Sequence, residues 1–131
     1  GKAETVREGD DVAIIACGCL VAEAVKASEA LAKRGVRARV LNVHTLKPLD
    51  RQAIVEAAVE SGRVVTAEEH RLAGGLGGAV AELLALEHPT PMRMIGMPDE
   101  FAVVGPTLQV RERYGMSAEA IVDACDQLLE Q

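Results

Sequence analysis

A chain of 131 residues with 49% hydrophobic and 26% charged residues has the make-up of one globular domain, long enough to bury a single core without disulfide or metal staples. Its net charge of −6 opposes binding to a phosphate backbone, and Phe101 and Tyr114, its only aromatic residues, offer no platform for stacked bases. Val12 to Ala22, the longest apolar run, is too short to cross a bilayer, so a soluble protein is expected.

Ala3 to Arg7 reads as a short charged strand suited to a sheet edge, ahead of a turn at Gly9-Asp10. Residues 12–17, VAIIAC, are continuously apolar, as a strand buried on both faces should be, and Gly18 closes it. A helix follows with Val21, Ala24, Val25, Ser28, Leu31 and Ala32 on its apolar face, and Gly35 is placed to end it in a left-handed turn. Val36 to Val43 is the next strand; the βαβ unit so formed gives parallel strands. Asp50 is suited to cap a second helix, with Leu49 and Ile54 as its hydrophobic staple and Ile54, Val55, Ala58 and Val59 as its buried stripe. Ser61-Gly62 ends it.

Arg63 to Ala67 reads as a third parallel strand, followed by a polar tip, Glu68-Glu69-His70, and by Gly74 to Gly78, which feed a helix with Val80, Leu83 and Leu84 inward. His88 to Pro91 breaks that helix, and Met92 to Met97 forms a further strand. Residues 99–109 are expected to be a surface loop, and 108–114 a short helix ended by Gly115. Ser117 caps the last helix, with Met116 and Ile121 as staple and Ile121, Val122, Cys125, Leu128 and Leu129 as stripe. The alternation predicts a three-layer α/β/α domain around a sheet of about five strands, mostly parallel.

Three places could carry chemistry. At Glu68-Glu69-His70 with Gly74, Gly75, Gly77 and Gly78, the N–H groups of a helix start could receive an anion, or the glycines could permit close packing on a neighbouring surface. The two carboxylates and the absence of a phosphate-loop lysine or a GxGxxG spacing favour packing. Gly18-Cys19 opens the first helix and is a second possible anion turn, with no charged partner in sequence. His44 and Lys47 follow the second parallel strand and could reach one crevice or simply be solvated.

Cys17, Cys19 and Cys125 are an odd count, expected to be reduced in the cytoplasm for want of a secretory leader, and Cys17 and Cys19, which lack both metal-ligand spacing and electropositive neighbours, are expected to be small buried hydrophobes. A start at Gly1 rather than Met is expected of a processed product or an excised piece. No convergent acid, base and electrophile is visible, and the scarcity of aromatics disfavours a flavin module.

Leu41 to Asp50 (LNVHTLKPLD), Gly62 to Ala81 (GRVVTAEEHRLAGGLGGAVA), Ile95 to Asp99 (IGMPD) and Tyr114 to Ala118 (YGMSA) together resemble the C-terminal domain of transketolases, over essentially residues 1–131. The EEH and GGLG combination is closer to transketolase than to the similar domains of 1-deoxyxylulose-5-phosphate synthases or 2-oxo acid dehydrogenase beta subunits. The resemblance implies a mixed sheet whose first strand is the antiparallel edge. It implies an enzyme that moves a two-carbon ketol unit between sugar phosphates with thiamine diphosphate and Mg2+, which other domains bind. No GDG motif occurs in this chain, so no catalytic, cofactor or metal residue is carried over. The implied partners are the N-terminal and pyrimidine domains or subunit, within a homodimeric enzyme. The stretch from Glu69 to Gly78 is the expected contact. A regulatory module for a small anion or nucleotide is the rival expectation.

Overall fold

The computed structural model describes residues 1–44, 46–71, 75–97 and 115–131. Its elements in chain order are β1 (Glu4–Arg7), β2 (Val12–Ala16), α1 (Leu20–Ala32), β3 (Ala38–Asn42), α2 (Arg51–Ser61), β4 (Val64–Arg71), α3 (Leu76–Glu87), β5 (Met92–Met97) and α4 (Ala118–Leu129). The five strands form one sheet in the order β1-β3-β2-β4-β5, with β1 antiparallel to β3 and the other pairs parallel. This is the expected three-layer α/β/α architecture with an antiparallel edge strand. The loop expected at 99–109 and the short helix expected at 108–114 lie outside the described residues.

β2 is central and buried at every position, which explains its unbroken apolar run. Its side chains alternate: Val12, Ile14 and Ala16 pack under α1 and α4, while Ala13 and Ile15 pack under α2 and α3. Two aliphatic cores therefore lie on opposite faces of one sheet. Gly35 and Gly62 take positive φ angles of 79° and 72° just beyond α1 and α2, so both helix stops fall where the sequence placed them. Ser117 accepts the Ala120 N–H at 3.2 Å, and Met116 and Ile121 are buried together. Arg63, just ahead of β4, donates to the carbonyls of Asp11 and Leu128, tying the base of β2 to the end of α4.

Two helical stripes are rotated from expectation. In α1 the buried residues are Leu20, Ala24, Ala27, Ser28 and Leu31, with Val21 and Val25 only half-buried and Ala32 exposed. In α2 they are Ile54, Ala57, Ala58 and Ser61, while Val59 is 56% exposed. Small residues close to the sheet displace larger apolar ones because a helix packed over strands gains most from close backbone approach. β4 also runs on to Arg71 instead of stopping at Ala67, with an irregular register against β5 between those two residues. Glu68, Glu69 and His70 thus belong to the strand.

Asp50 caps α2 through Oδ1, which accepts the Ala53 N–H at 3.2 Å, and its Oδ2 accepts the Ala3 N–H at 2.7 Å. One carboxylate therefore fixes a helix start and anchors the chain just ahead of β1. The bond from Ala3, followed by that from Ala53, holds the Asp50 carboxyl below its ordinary value. A carboxyl with a depressed folded-state value stabilises the fold above the unfolded value and loses that contribution as pH falls through the folded one. Asp50→Ala is expected to lower stability by about 1 kcal/mol at neutral pH. The gap should narrow below about pH 4. Urea unfolding of both proteins across that range checks this, and a gap constant with pH would contradict it.

Candidate functional site

Ala16 pairs with Ala67, so β2 ends at the centre of the sheet while β4 continues beside its exit to Arg71. The chain leaves β2 for α1 on one face and leaves β4 for α3 on the other. The crevice between two such exits is where doubly wound sheets receive ligands. Here Cys17, Gly18 and Cys19 come from the β2 side and Glu68 and Glu69 from β4, while the Cys17 N–H donates to the Ala67 carbonyl at 3.2 Å.

Glu68 is fully buried. Its Oε1 accepts the Leu76 N–H and its Oε2 the Gly77 N–H, each at 2.6 Å. Gly75, at the N-cap of α3, has no side chain with which to cap, so the carboxylate arrives from the preceding strand. The positive end of the helix dipole meets a full negative charge supplied by the protein. A free anion would have to displace Glu68 and approach Glu69 as well.

Gly77 serves packing. A Cβ there would lie 2.8 Å from the Met94 sulfur and 3.0 Å from the Thr66 hydroxyl, so the glycine lets α3 settle onto β4 and β5. Gly75 is buried and Gly78 half-buried. The His70 side chain and Gly74, both named as site candidates, lie outside what is described.

Gly18 adopts φ +62° with open space around it, and Cys19 precedes α1 without a side-chain capping bond. Cys19 is exposed and Cys17 only half-buried, which corrects the expectation that these two are small buried hydrophobes; Cys19 stands on the sharp turn that leaves the sheet. The half-buried Cys17 thiol is pushed up to about 11, chiefly by burial and then by the charges of Glu68, Cys19 and Glu69. Burial pushes Cys125 up to about 12. Both thiols stay protonated at neutral pH, the wrong state for a nucleophile. His44 and Lys47 are exposed after β3.

Sequence reasoning placed Glu68 at a polar tip and missed that it caps α3. The available signal was a carboxylate at a strand end, eight residues before a helix start whose cap is glycine. Glu23 of α1 similarly accepts the Ala118 N–H at the start of α4, at 3.3 Å.

Fold and site together define a doubly wound α/β domain whose central helix start is filled by the domain's own carboxylate. The chain belongs to the transketolase C-terminal domain family, which it matches over residues 1–121. It is 47% identical to the 6-deoxy-6-sulfo-D-fructose transketolase subunit SqwH of Clostridium sp., over 100% of this chain and 41% of that protein. It is 46% identical to an apulose-4-phosphate transketolase subunit of Phocaeicola vulgatus, over 92% of this chain and 38% of that protein. A solved structure described as a split gene transketolase, inactive beta4 tetramer, superposes with a TM-score of 0.91 at 41% identity, covering 98% of this chain and 42% of that one. The chain thus spans about two fifths of the length of these relatives. No described helix is long and apolar enough to cross a membrane.

Proposed function

We propose that residues 1–131 form a single domain that completes and supports a thiamine diphosphate-dependent, transketolase-type enzyme transferring a two-carbon ketol unit between sugar phosphates. The observation that carries this reading is the Glu68 carboxylate seated on the Leu76 and Gly77 N–H groups. The place where this fold would take an anionic ligand is filled from within, so the domain contributes a rigid surface rather than reacting groups. The 41% identical solved structure, an inactive beta4 tetramer, agrees with that assignment.

The residues of the crevice do not suit the coenzyme. A diphosphate placed there would face Glu68 and Glu69 with no described cation between them, and its most favourable donors are already engaged. Thiamine diphosphate and Mg2+ are therefore assigned to the N-terminal and pyrimidine portion, and no step of ketol transfer is assigned to a residue of this chain. Glu69, His70, Gly74 and Gly78 are proposed as contacts to that portion, whereas Gly75 and Gly77 are buried and serve packing within the domain. The complete enzyme is proposed to be a cytoplasmic homodimer, without nucleic-acid or membrane partners.

The test is complementation. The chain alone is expected to turn over no sugar phosphate and to retain no thiamine diphosphate after gel filtration. Mixed with the N-terminal and pyrimidine portion, it should raise ketol transfer above that of the portion alone. Turnover by the isolated chain, or no gain on mixing, would overturn the reading.

A further inference from the structure

The exposed large hydrophobic side chains of the described residues all lie on one layer. They are Val59 on α2 at 56%, Leu86 on α3 at 85%, and Met94 at 42%, which reaches from β5 over Gly77 at the start of α3. Ion pairs rim both layers, Lys26 with Glu23, Arg34 with Asp126 and Arg7 with Glu29 on the opposite one and Arg51 with Glu87 and Arg39 with Glu60 on this one, so the exposed apolar side chains are what sets this layer apart. Single exposed apolar residues are ordinary on a protein surface, but their segregation onto one face is the mark of a surface that is covered. α3 carries only two charged residues, Glu82 and Glu87, among its twelve, and its outward positions include Gly78, Ala79 and Ala85. Another backbone could approach it closely. A groove of about 490 Å³, lined by Arg51, Gln52, Val55, Glu56 and Glu87, runs along the same layer.

We propose that the outward face of the α2/α3 layer is the docking surface of this domain, and that its occupant is an apolar surface with a basic rim on the coenzyme-binding portion of the same enzyme. This deepens the function proposed above and rests on it. The charge pattern selects the occupant. The face carries Glu56, Glu60, Glu82 and Glu87 against Arg51 and Arg39, each of which is already engaged, Arg51 by Glu87 at 2.6 Å and Arg39 by Glu60, so its balance stays acidic. A second copy of this chain seated on the same face would set carboxylates against carboxylates, whereas Lys or Arg would be complementary. About three fifths of the split relatives lies outside the matched region, so a partner surface of ample size is at hand. The half-buried Gly78, proposed above as a contact, lies in the first turn of α3.

The test uses the full chain and the coenzyme-binding portion, titrated calorimetrically, with ketol transfer as second readout. The double variant Val59→Lys/Leu86→Lys alters two exposed positions, and thermal unfolding verifies that it folds; Glu82→Lys on the same face serves if it does not. Either is expected to weaken association at least about ten-fold. Asp123→Lys, a similar change on α4 of the opposite layer, should stay within about three-fold. Binding by the face variants equal to the unmodified chain overturns the docking face. Loss of a dimer of this chain with partner binding unchanged assigns the face to a second copy and overturns the occupant. No binding by the unmodified chain overturns the function proposed above, and the docking face with it.

Discussion

Glu68→Ala is expected to lower unfolding free energy by about 3–5 kcal/mol, because it leaves two buried N–H groups without their charged acceptor and opens a void under α3. Both carboxylate oxygens are engaged at 2.6 Å inside a fully buried site, so no solvent stands ready to replace them. Glu68→Gln keeps the shape but turns an amide N–H toward one of the backbone donors, and should cost about 2 kcal/mol. Urea unfolding midpoints at constant slope measure both, and a melting temperature lower by on the order of 10 °C should accompany the alanine change. A loss under about 1 kcal/mol for Glu68→Ala would show that the bonds contribute little and would remove the main support for a domain closed by its own carboxylate.

Gly9→Ala is expected to destabilise by about 3 kcal/mol, well above Gly18→Ala at about 1 kcal/mol, although only Gly18 has a positive φ. A Cβ on Gly9 would sit 2.6 Å from the carbonyl carbon of Ala38 and from the carbonyl oxygen of Arg37. Neither segment can yield cheaply. The Asp11 N–H donates to the Arg37 carbonyl at 2.9 Å, Asp11 Oδ2 accepts the Arg37 N–H at 2.7 Å, and Arg39 Nε donates to the Gly9 carbonyl at 3.0 Å. Relieving the clash means parting the β1–β2 turn from the start of β3. Equilibrium unfolding of the two variants side by side decides the order, and the reverse ranking would mean that left-handed strain outweighs backbone contact.

Much of this fold was legible because it rests on local rules. Val12 to Ala16 announced a central strand by being apolar at every position, and Asp50, Ser117, Gly35 and Gly62 marked helix ends through groups that act within three or four residues. Met92 to Met97 fell where the pattern placed it. Val59 was misread because its spacing on α2 fits a buried stripe, while the sheet chose Ala57 and Ser61 to face it. The extension of β4 was hidden because Glu68 and Glu69 are poor strand residues alone, and the pairing that carries the strand past them, Arg71 with Met97, is with a segment more than twenty residues away.

The candidate site shows the same division. The sequence by itself determined the family, the alternation of strands and helices, and a glycine-rich helix entrance beside two acids. Only the tertiary structure decided that Glu68 turns inward to fill that entrance, that Gly9 and Gly77 are needed for contact rather than for backbone angle, and that exposed apolar side chains gather over α2 and α3. Periodicity and capping report forces acting along the chain, whereas the partner of a buried carboxylate and the clearance around a glycine are set by segments that meet only when the sheet closes.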